Sequence, residues 1–99
     1  LAYSARVGLE LGADIIKMKY NGKKSDLDWA VKSAGKAKVV IAGGLKKGEK
    51  KLLESTYQVM ECGASGLAIG RNVWQHEEPV KVANSLRKII FEGKKPDEV

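Results

Sequence analysis

The chain has 99 residues, with 18 Lys and Arg against 12 Asp and Glu, and therefore a formal net charge of +6. Hydrophobic residues make up 43% of it and charged residues 30%, a balance that is typical of a soluble globular chain and excludes a disordered tail or a collagen-like repeat. The sequence lacks an apolar run of the ~18–20 residues that a membrane-spanning helix needs. Its first residues lack the pattern of a signal peptide. We therefore expect one soluble domain at most, without a membrane partner.

The lysines and the single cysteine limit the kinds of partner and of cellular compartment that the sequence favours. Lysine pairs at positions 23–24, 46–47, 50–51 and 94–95 are scattered among acidic residues, and no aromatic residues are interleaved with them to stack on bases. We interpret them as a solvated surface. Nucleic-acid binding through the +6 charge remains an alternative, and it predicts a steep salt dependence of affinity. With Cys62 as the only cysteine there is no intrachain disulfide, which favours a reducing compartment.

The hydrophobic pattern predicts helices and strands that alternate along the chain. Apolar residues at helical spacing and glycine stops predict four helices, and short apolar runs bounded by glycine predict three strands. In chain order these are a helix over 2–11, a strand over 14–20, a helix from a Ser25 N-cap to Gly35, a strand over 38–42, a helix over 49–62, a strand over 66–70 and a helix from Pro79 to a stop before Gly93.

This alternation predicts an α/β protein with a parallel sheet. The strand segments show no long polar and apolar alternation, so we expect strands that are covered on both faces. The helix-to-strand junctions at residues 11–14 and 62–65 are near copies of each other, as in a βα repeat. Two architectures fit, an open doubly wound sheet and a (β/α)8 barrel. The absence of a GxGxxG loop after any strand weakens the dinucleotide-binding form of the first.

Glycines follow two of the predicted strands, where parallel α/β folds collect their functional groups. Gly43 and Gly44 end the second strand, and Gly70 followed by Arg71 ends the third. Glycine lets the backbone approach a ligand and point N–H groups at an anion. Residues 72–75 could add a short helix that faces the same spot. The pattern predicts a phosphate site, with tight strand-to-loop turns as the alternative.

Lys17 interrupts the apolar run of the first strand. An ammonium buried in such a strand loses part of its preference for the charged state. The free amine is the form that attacks a ketone to make a Schiff base. A lysine paired with a carboxylate inside a barrel is an equally good reading. Lys19 lies two residues on, nearer the rim, and is the second choice. His76, the only histidine, lacks partners at metal-ligand spacing, and we expect it to have a structural role at the start of the last helix.

Three motifs together resemble the archaeal-type class I fructose-bisphosphate aldolases. They are GADIIKMKY at 12–20, VIAGG at 40–44 and GASGLAIGRNVWQH at 63–76. The resemblance implies a partial (β/α)8 barrel in which residues 1–99 supply roughly strands 6–8 as its C-terminal part, without the N-terminal strands. Lys17 matches the Schiff-base lysine. Gly43, Gly44, Gly70 and Arg71 match the phosphate loops.

The family to which the motifs point is a group of lyases that cleave fructose 1,6-bisphosphate to dihydroxyacetone phosphate and glyceraldehyde 3-phosphate, a step of glycolysis and gluconeogenesis. The resemblance implies that no metal or cofactor is needed, and that the protein is a cytoplasmic homo-oligomer. Leu45 stands where many members have proline. Relatives that keep the lysine and the phosphate loops act instead as transaldolases in heptulosonate synthesis or as autoinducer-phosphate thiolases, so these residues do not separate the reactions.

The length sets a further expectation. A complete barrel needs ~200–250 residues, and the family's proton-handling tyrosine and aspartate lie on earlier strands. The chain is then a fragment that is inactive alone, a half-barrel that pairs with another copy, or one piece of a split protein. A non-catalytic phosphate-binding module is the alternative from a different functional class.

Overall fold

The structure is a computed structural model that describes residues 1–43 and 48–99. Within these ranges, helices and parallel strands alternate along the chain as the sequence predicts. In chain order they are α1 (Ala2–Glu10), β1 (Ile15–Lys19), α2 (Lys24–Ser33), β2 (Lys38–Ala42), α3 (Glu49–Glu61), β3 (Gly66–Ala68), α4 (Arg71–Trp74), α5 (Pro79–Glu92) and a 3-10 turn (Pro96–Glu98).

The three strands form one parallel sheet in the order β1-β2-β3, so each strand pairs with the next one along the chain. Lys17 is in register with Val40, which is in register with Gly66. Two residues further toward the carboxyl ends of these strands, Lys19 is in register with Ala42. The βα order and the parallel pairing confirm the predicted α/β class and are consistent with part of a (β/α)8 barrel.

Helices cover only one face of this sheet. Along β1 burial alternates, with Ile16 and Met18 each 8% exposed and Ile15, Lys17 and Lys19 exposed. The expectation that the strands are covered on both faces is therefore wrong for β1. The other face, called the open face below, carries the side chains of Ile15, Lys17, Lys19, Lys38, Val40, Ala42 and Ala68.

The helices pack on the covered face in two clusters. The larger cluster joins β1 and β2 to helices α1, α2 and α3, through buried residues that include Ile16, Val39, Leu27 and Val59. The second cluster joins α3 to α5, and Leu67 of β3 contacts both clusters. The sheet is thereby anchored from one side by a continuous apolar layer, which fixes the direction in which each strand side chain points.

The helix ends follow the glycine signals closely, whereas one predicted helix start is wrong. Gly12 and Gly63 have φ of 90° and 91°, so the two near-identical junctions turn through the same backbone geometry. Gly93 ends α5 in the left-handed region at φ 67°. The expected N-cap, Ser25, lies inside the first turn of α2, because the helix already begins at Lys24.

No helix in the described part of the chain is both long and apolar enough to cross a membrane.

Candidate functional site

The carboxyl ends of the three strands lie at one edge of the sheet and bring together most of the residues that the sequence singles out. Lys19 ends β1, Gly43 directly follows β2, and Gly70 precedes α4, which begins at Arg71. Gly44 lies outside the described residues, and so does Leu45, the position where the family pattern departs. The predicted cluster at this edge is therefore present for the described residues.

Lys17 lies in the middle of β1 and projects from the open face. It is exposed, and the helices pack on the opposite side, against Ile16 and Met18. The expectation that Lys17 is buried among apolar side chains is wrong for this chain, because the residues that alternate with it, and not Lys17 itself, form the core. Its neighbours across the sheet are the half-buried Val40 and then Gly66, which has no side chain. The Lys17 amine is thus accessible, and the residues level with it on β2 and β3 carry no charge.

Gly43 directly follows β2 and packs against Ile69, which directly follows β3. A Cβ atom built on Gly43 would lie 2.7 Å from Cγ2 and 3.0 Å from Cβ of Ile69, which no real side chain could tolerate without a shift. The Gly43 N–H donates to the carbonyl of Ala68 at 3.0 Å. This amide is therefore committed to the sheet, and the space that a side chain at position 43 would need is filled by Ile69.

Gly70 and Arg71 begin the segment after β3. The indole of Trp74 lies over the Cα of Gly70, so that a Cβ there would overlap the ring. The carbonyl oxygen of Gly70 accepts hydrogen bonds from the N–H groups of Val73 and Trp74, at 2.8 and 3.0 Å. Arg71 is exposed and Asn72 is buried, at 6% exposed. The short helix predicted over 72–75 is present, and it starts one residue earlier, at Arg71.

The separation between Lys17 and the strand ends suits a small phosphorylated ketone. Gly43 lies three residues beyond Val40, the register partner of Lys17, which is about 10 Å along the strand. An extended lysine side chain, together with the three bonds that join a ketone carbon to the phosphorus of its ester, spans a comparable length. The arrangement can thus hold an anion at the edge while an amine meets the carbonyl over the open face.

Sequence reasoning missed several polar residues near this edge. Tyr20 follows β1, and its hydroxyl donates to Oε1 of Gln58 on α3 at 3.0 Å. Burial raises the pKa of the Tyr20 phenol above its ordinary value. A cavity of about 120 Å³ lies between the strand ends and α3, and its polar lining comes from Lys19, Tyr20, Ser55, Thr56 and Asn72. The position of Tyr20 directly after a strand is the signal that could have identified it.

His76 lies in the connection between α4 and α5 and bridges to a different element. Its Nδ1 accepts the Glu78 N–H at 2.9 Å, and its Nε2 lies 3.3 Å from Oε2 of Glu49, the first residue of α3. The expected structural role at the start of the last helix is consistent with the bond to Glu78, the residue before α5. The contact with Glu49 was not expected.

Comparison with known proteins gives one family and close relatives. The family model described as DeoC/LacD family aldolase matches residues 2–76. A class 1 fructose-bisphosphate aldolase from Thermoproteus tenax is 48% identical over 96 residues, which are 96% of this chain and 36% of that protein. One solved structure, of an archaeal fructose 1,6-bisphosphate aldolase, superposes with a TM-score of 0.89 at 47% identity and covers 93% of this chain and 37% of that chain.

A second solved structure bears on the chemistry. It is an archaeal fructose-1,6-bisphosphate aldolase whose catalytic lysine is covalently bound to the carbinolamine intermediate of its substrate. It superposes with a TM-score of 0.86 at 47% identity, and covers 90% of this chain and 36% of that chain. The present chain thus spans little more than a third of the length of the proteins that it matches.

Proposed function

Since this chain belongs to the DeoC/LacD family of aldolases, we propose that it supplies the Schiff-base lysine and part of the phosphate site of a class I fructose-bisphosphate aldolase. The observation that carries the proposal is the placement of Lys17 on the open face, level with two strands whose ends are lined by Gly43 and Gly70. In this proposal residues 1–99 form the C-terminal part of a (β/α)8 barrel, and other strands close the open face.

The proposed reaction begins with attack of the Lys17 amine on the C2 ketone of fructose 1,6-bisphosphate. The carbinolamine loses water, and the resulting iminium draws electrons away from C3. When the C3–C4 bond breaks, its electron pair forms an enamine, and the proton of the C4 hydroxyl passes to a base outside this chain. Glyceraldehyde 3-phosphate leaves as the aldehyde. Protonation at C3 and hydrolysis of the imine then release dihydroxyacetone phosphate and restore the free amine.

The phosphate nearest the reacting ketone is proposed to lie at the ends of β2 and β3. The missing side chains of Gly43 and Gly70 let Ile69 and the Trp74 indole pack against the backbone there, and the exposed Arg71 offers a cation. Gly44 is assigned to the same loop by its sequence position alone. Because the Gly43 N–H is engaged with Ala68, hydrogen bonds to the phosphate come from the other groups. The iminium is the electron sink in this scheme, which uses no metal or cofactor.

Three further properties belong to the proposal. The substrate and products place the enzyme in glycolysis and gluconeogenesis. A reducing, cytoplasmic location suits a chain whose one cysteine, Cys62, is buried and free. A homo-oligomeric state also belongs to the proposal, because the family resemblance implies it.

Borohydride trapping in the intact protein tests the assignment of Lys17. Reduction in the presence of dihydroxyacetone phosphate should attach one substrate-derived group to the peptide that contains Lys17, and Lys17→Arg should abolish it. The same substitution should lower the cleavage rate by roughly a thousandfold or more, because arginine cannot act as the nucleophile. The product mixture distinguishes cleavage from transaldol transfer and from thiolysis.

Lys19→Arg is the matched control, because Lys19 lies on the same face of the same strand, two residues further on. The Lys19→Arg variant should still be labelled on Lys17 by borohydride trapping. Label on a peptide without Lys17 would refute the assignment. Phosphate binding without any trapping would instead support a non-catalytic phosphate-binding module.

A further inference from the structure

His76 connects the segment that follows β3 with the segment that follows β2. Its backbone N–H donates to the Val73 carbonyl of α4 at 3.1 Å. Its ring reaches Glu49 at the start of α3, which comes after the loop that leaves β2. These are the two segments proposed above to flank the substrate phosphate.

The hydrogen bonds of the imidazole define its orientation. Nδ1 accepts the Glu78 N–H at 2.9 Å, so the proton of the neutral ring lies on Nε2. Nε2 then faces the Glu49 carboxylate, with 3.3 Å between Nε2 and Oε2. Glu49 lies in the first turn of α3, where the helix dipole favours a negative charge. The ring is 20% exposed, so the contact is partly shielded from water.

The core beneath this bridge makes it a lateral brace between two packed elements. Val73 packs against the cluster formed by Leu52, Leu53 and Val82 of α3 and α5. The helices are thus held together below, and His76 with Glu49 sets the spacing of their ends at the level of the site. A shift at this level would move the start of α3 relative to the α4–α5 connection, the two segments that flank the proposed phosphate site.

We propose that His76 is a positioning residue, which acts through Glu49 to hold the two phosphate-flanking segments at the spacing that binds the substrate phosphate. It does not contact the substrate. The identity of the ligand rests on the proposed function, whereas the brace itself rests on the contacts of His76.

Two substitutions at position 76 separate the contact with Glu49 from the contact with Glu78. His76→Gln can still extend an N–H to Glu49 but lacks the acceptor at the δ position. His76→Asn keeps an acceptor near the Glu78 N–H but is too short to reach Glu49. Glu49→Ala removes the partner, and Glu49→Gln keeps an acceptor. Each variant is made in the intact protein and titrated with inorganic phosphate by calorimetry, with its melting temperature measured in parallel.

The brace predicts that His76→Asn and Glu49→Ala each weaken phosphate binding by about three- to tenfold, the scale expected for one partly exposed polar contact. His76→Gln and Glu49→Gln should stay within about twofold of the wild type. The double variant His76→Asn with Glu49→Ala should bind no more weakly than either single variant, because both remove one contact.

The opposite pattern overturns the proposal. If His76 only supports α5 through Glu78, then His76→Gln is the more damaging change, and melting temperature falls while phosphate affinity does not. Multiplicative effects in the double variant also overturn it, and so does a wild-type protein that does not bind phosphate.

The trapping experiment keeps this result separate from the proposed function. A wild type that binds phosphate in the predicted pattern without being trapped supports the brace and removes the aldolase assignment. A wild type that is trapped but whose variants bind phosphate normally supports the aldolase and removes the brace.

Discussion

Cys62 shows how the chemistry of one side chain depends on where the chain folds it. It ends α3 at 6% exposed, and its Sγ lies 3.5 Å from the carbonyl oxygen of Lys24 at the start of α2. Burial, as the largest cause, raises the pKa of the thiol above its ordinary value of 9.0. The thiolate is the reactive form of cysteine. Cys62 is therefore a packing residue, and its ionisation opposes folding.

The raised pKa of Cys62 predicts a pH-dependent contribution to stability. Above pH 9 the unfolded chain loses the thiol proton before the folded chain does, so the free energy of unfolding falls as the pH rises. Cys62→Ala should cost about 1 kcal/mol at neutral pH through lost packing. This deficit should shrink as the pH rises past 9. Urea unfolding of the wild type and of Cys62→Ala between pH 7 and pH 10.5 measures this difference. The range spans the ordinary pKa values of the Cys62 thiol and the Tyr20 phenol.

Tyr20→Phe is the control for the Cys62 experiment. The pKa of Tyr20 is also raised by burial, but from 10.0, so its effect should begin about one pH unit higher. Parallel pH profiles for the wild type and Cys62→Ala would contradict the prediction.

The contact between the ends of β2 and β3 operates at the scale of whole elements. Gly43 allows these strands to continue side by side past their last residues, with the Gly43 N–H bonded to Ala68 and Ile69 packed directly against the Cα. Any side chain at position 43 would push the strand ends apart. The spacing of this edge, on which the proposed phosphate site depends, thus requires that residue 43 has no Cβ atom.

Two glycine substitutions test this spacing. Gly43→Ala places a Cβ 2.7 Å from Ile69 and should destabilise the fold by about 1–3 kcal/mol, as other overpacked sites do. Gly66→Ala, in the same pair of strands, meets no atom within 4 Å and should be neutral or stabilising by up to about 1 kcal/mol. Denaturant midpoints measure both changes. Equal effects of the two substitutions would show that the contact with Ile69 does not constrain the edge.

The elements were predictable where a single residue type enforces a boundary. β2 spans Lys38–Ala42 as predicted, and Pro79 and Gly93 bracket α5. The start of α2 was not predictable from its capping residue, because Asn21 accepts the Lys23 N–H at 3.0 Å and lets the helix begin before Ser25.

The candidate site was predictable as a set of residues but not in its environment. The position of Lys17 on a strand was evident, whereas its exposure was not, because Ile15 is apolar and yet lies on the open face. That residue hides the alternation of β1 and makes the strand read as fully buried. The engagement of the Gly43 N–H depends on strand register, and the bridge from His76 to Glu49 depends on how α3 and α4 are placed, so neither could be inferred from nearby residues.

At the scale of the molecule, helices cover one face of the sheet and leave the other face uncovered. The described residues leave Ile15 at 59% exposed on the open face, and the outer edges of β1 and β3 are unpaired within the sheet. Apolar surface next to free strand edges favours association with further strands. The superposed aldolase is longer by the parts that this chain does not match, since only 37% of it is covered.

The open face predicts the behaviour of residues 1–99 expressed by themselves. This polypeptide should bind an apolar dye and should self-associate in light scattering, because the face and both edges remain uncovered. Ile15→Asn should reduce both signals while the helical circular dichroism stays unchanged, since Ile15 contributes to neither core cluster. A monodisperse monomer that binds no dye would contradict this reading of the sheet.

The neighbour-to-neighbour order of the sheet has a consequence for how the polypeptide acquires its shape. β1 pairs with β2 and β2 with β3, so no strand must wait for a distant part of the chain to be made. Loops closed between adjacent units cost less entropy than long ones, so these pairings carry the smallest closure cost that a parallel sheet of this kind allows. During synthesis, each unit that leaves the ribosome can dock on the one before it, and the growing edge serves as the template for the next strand.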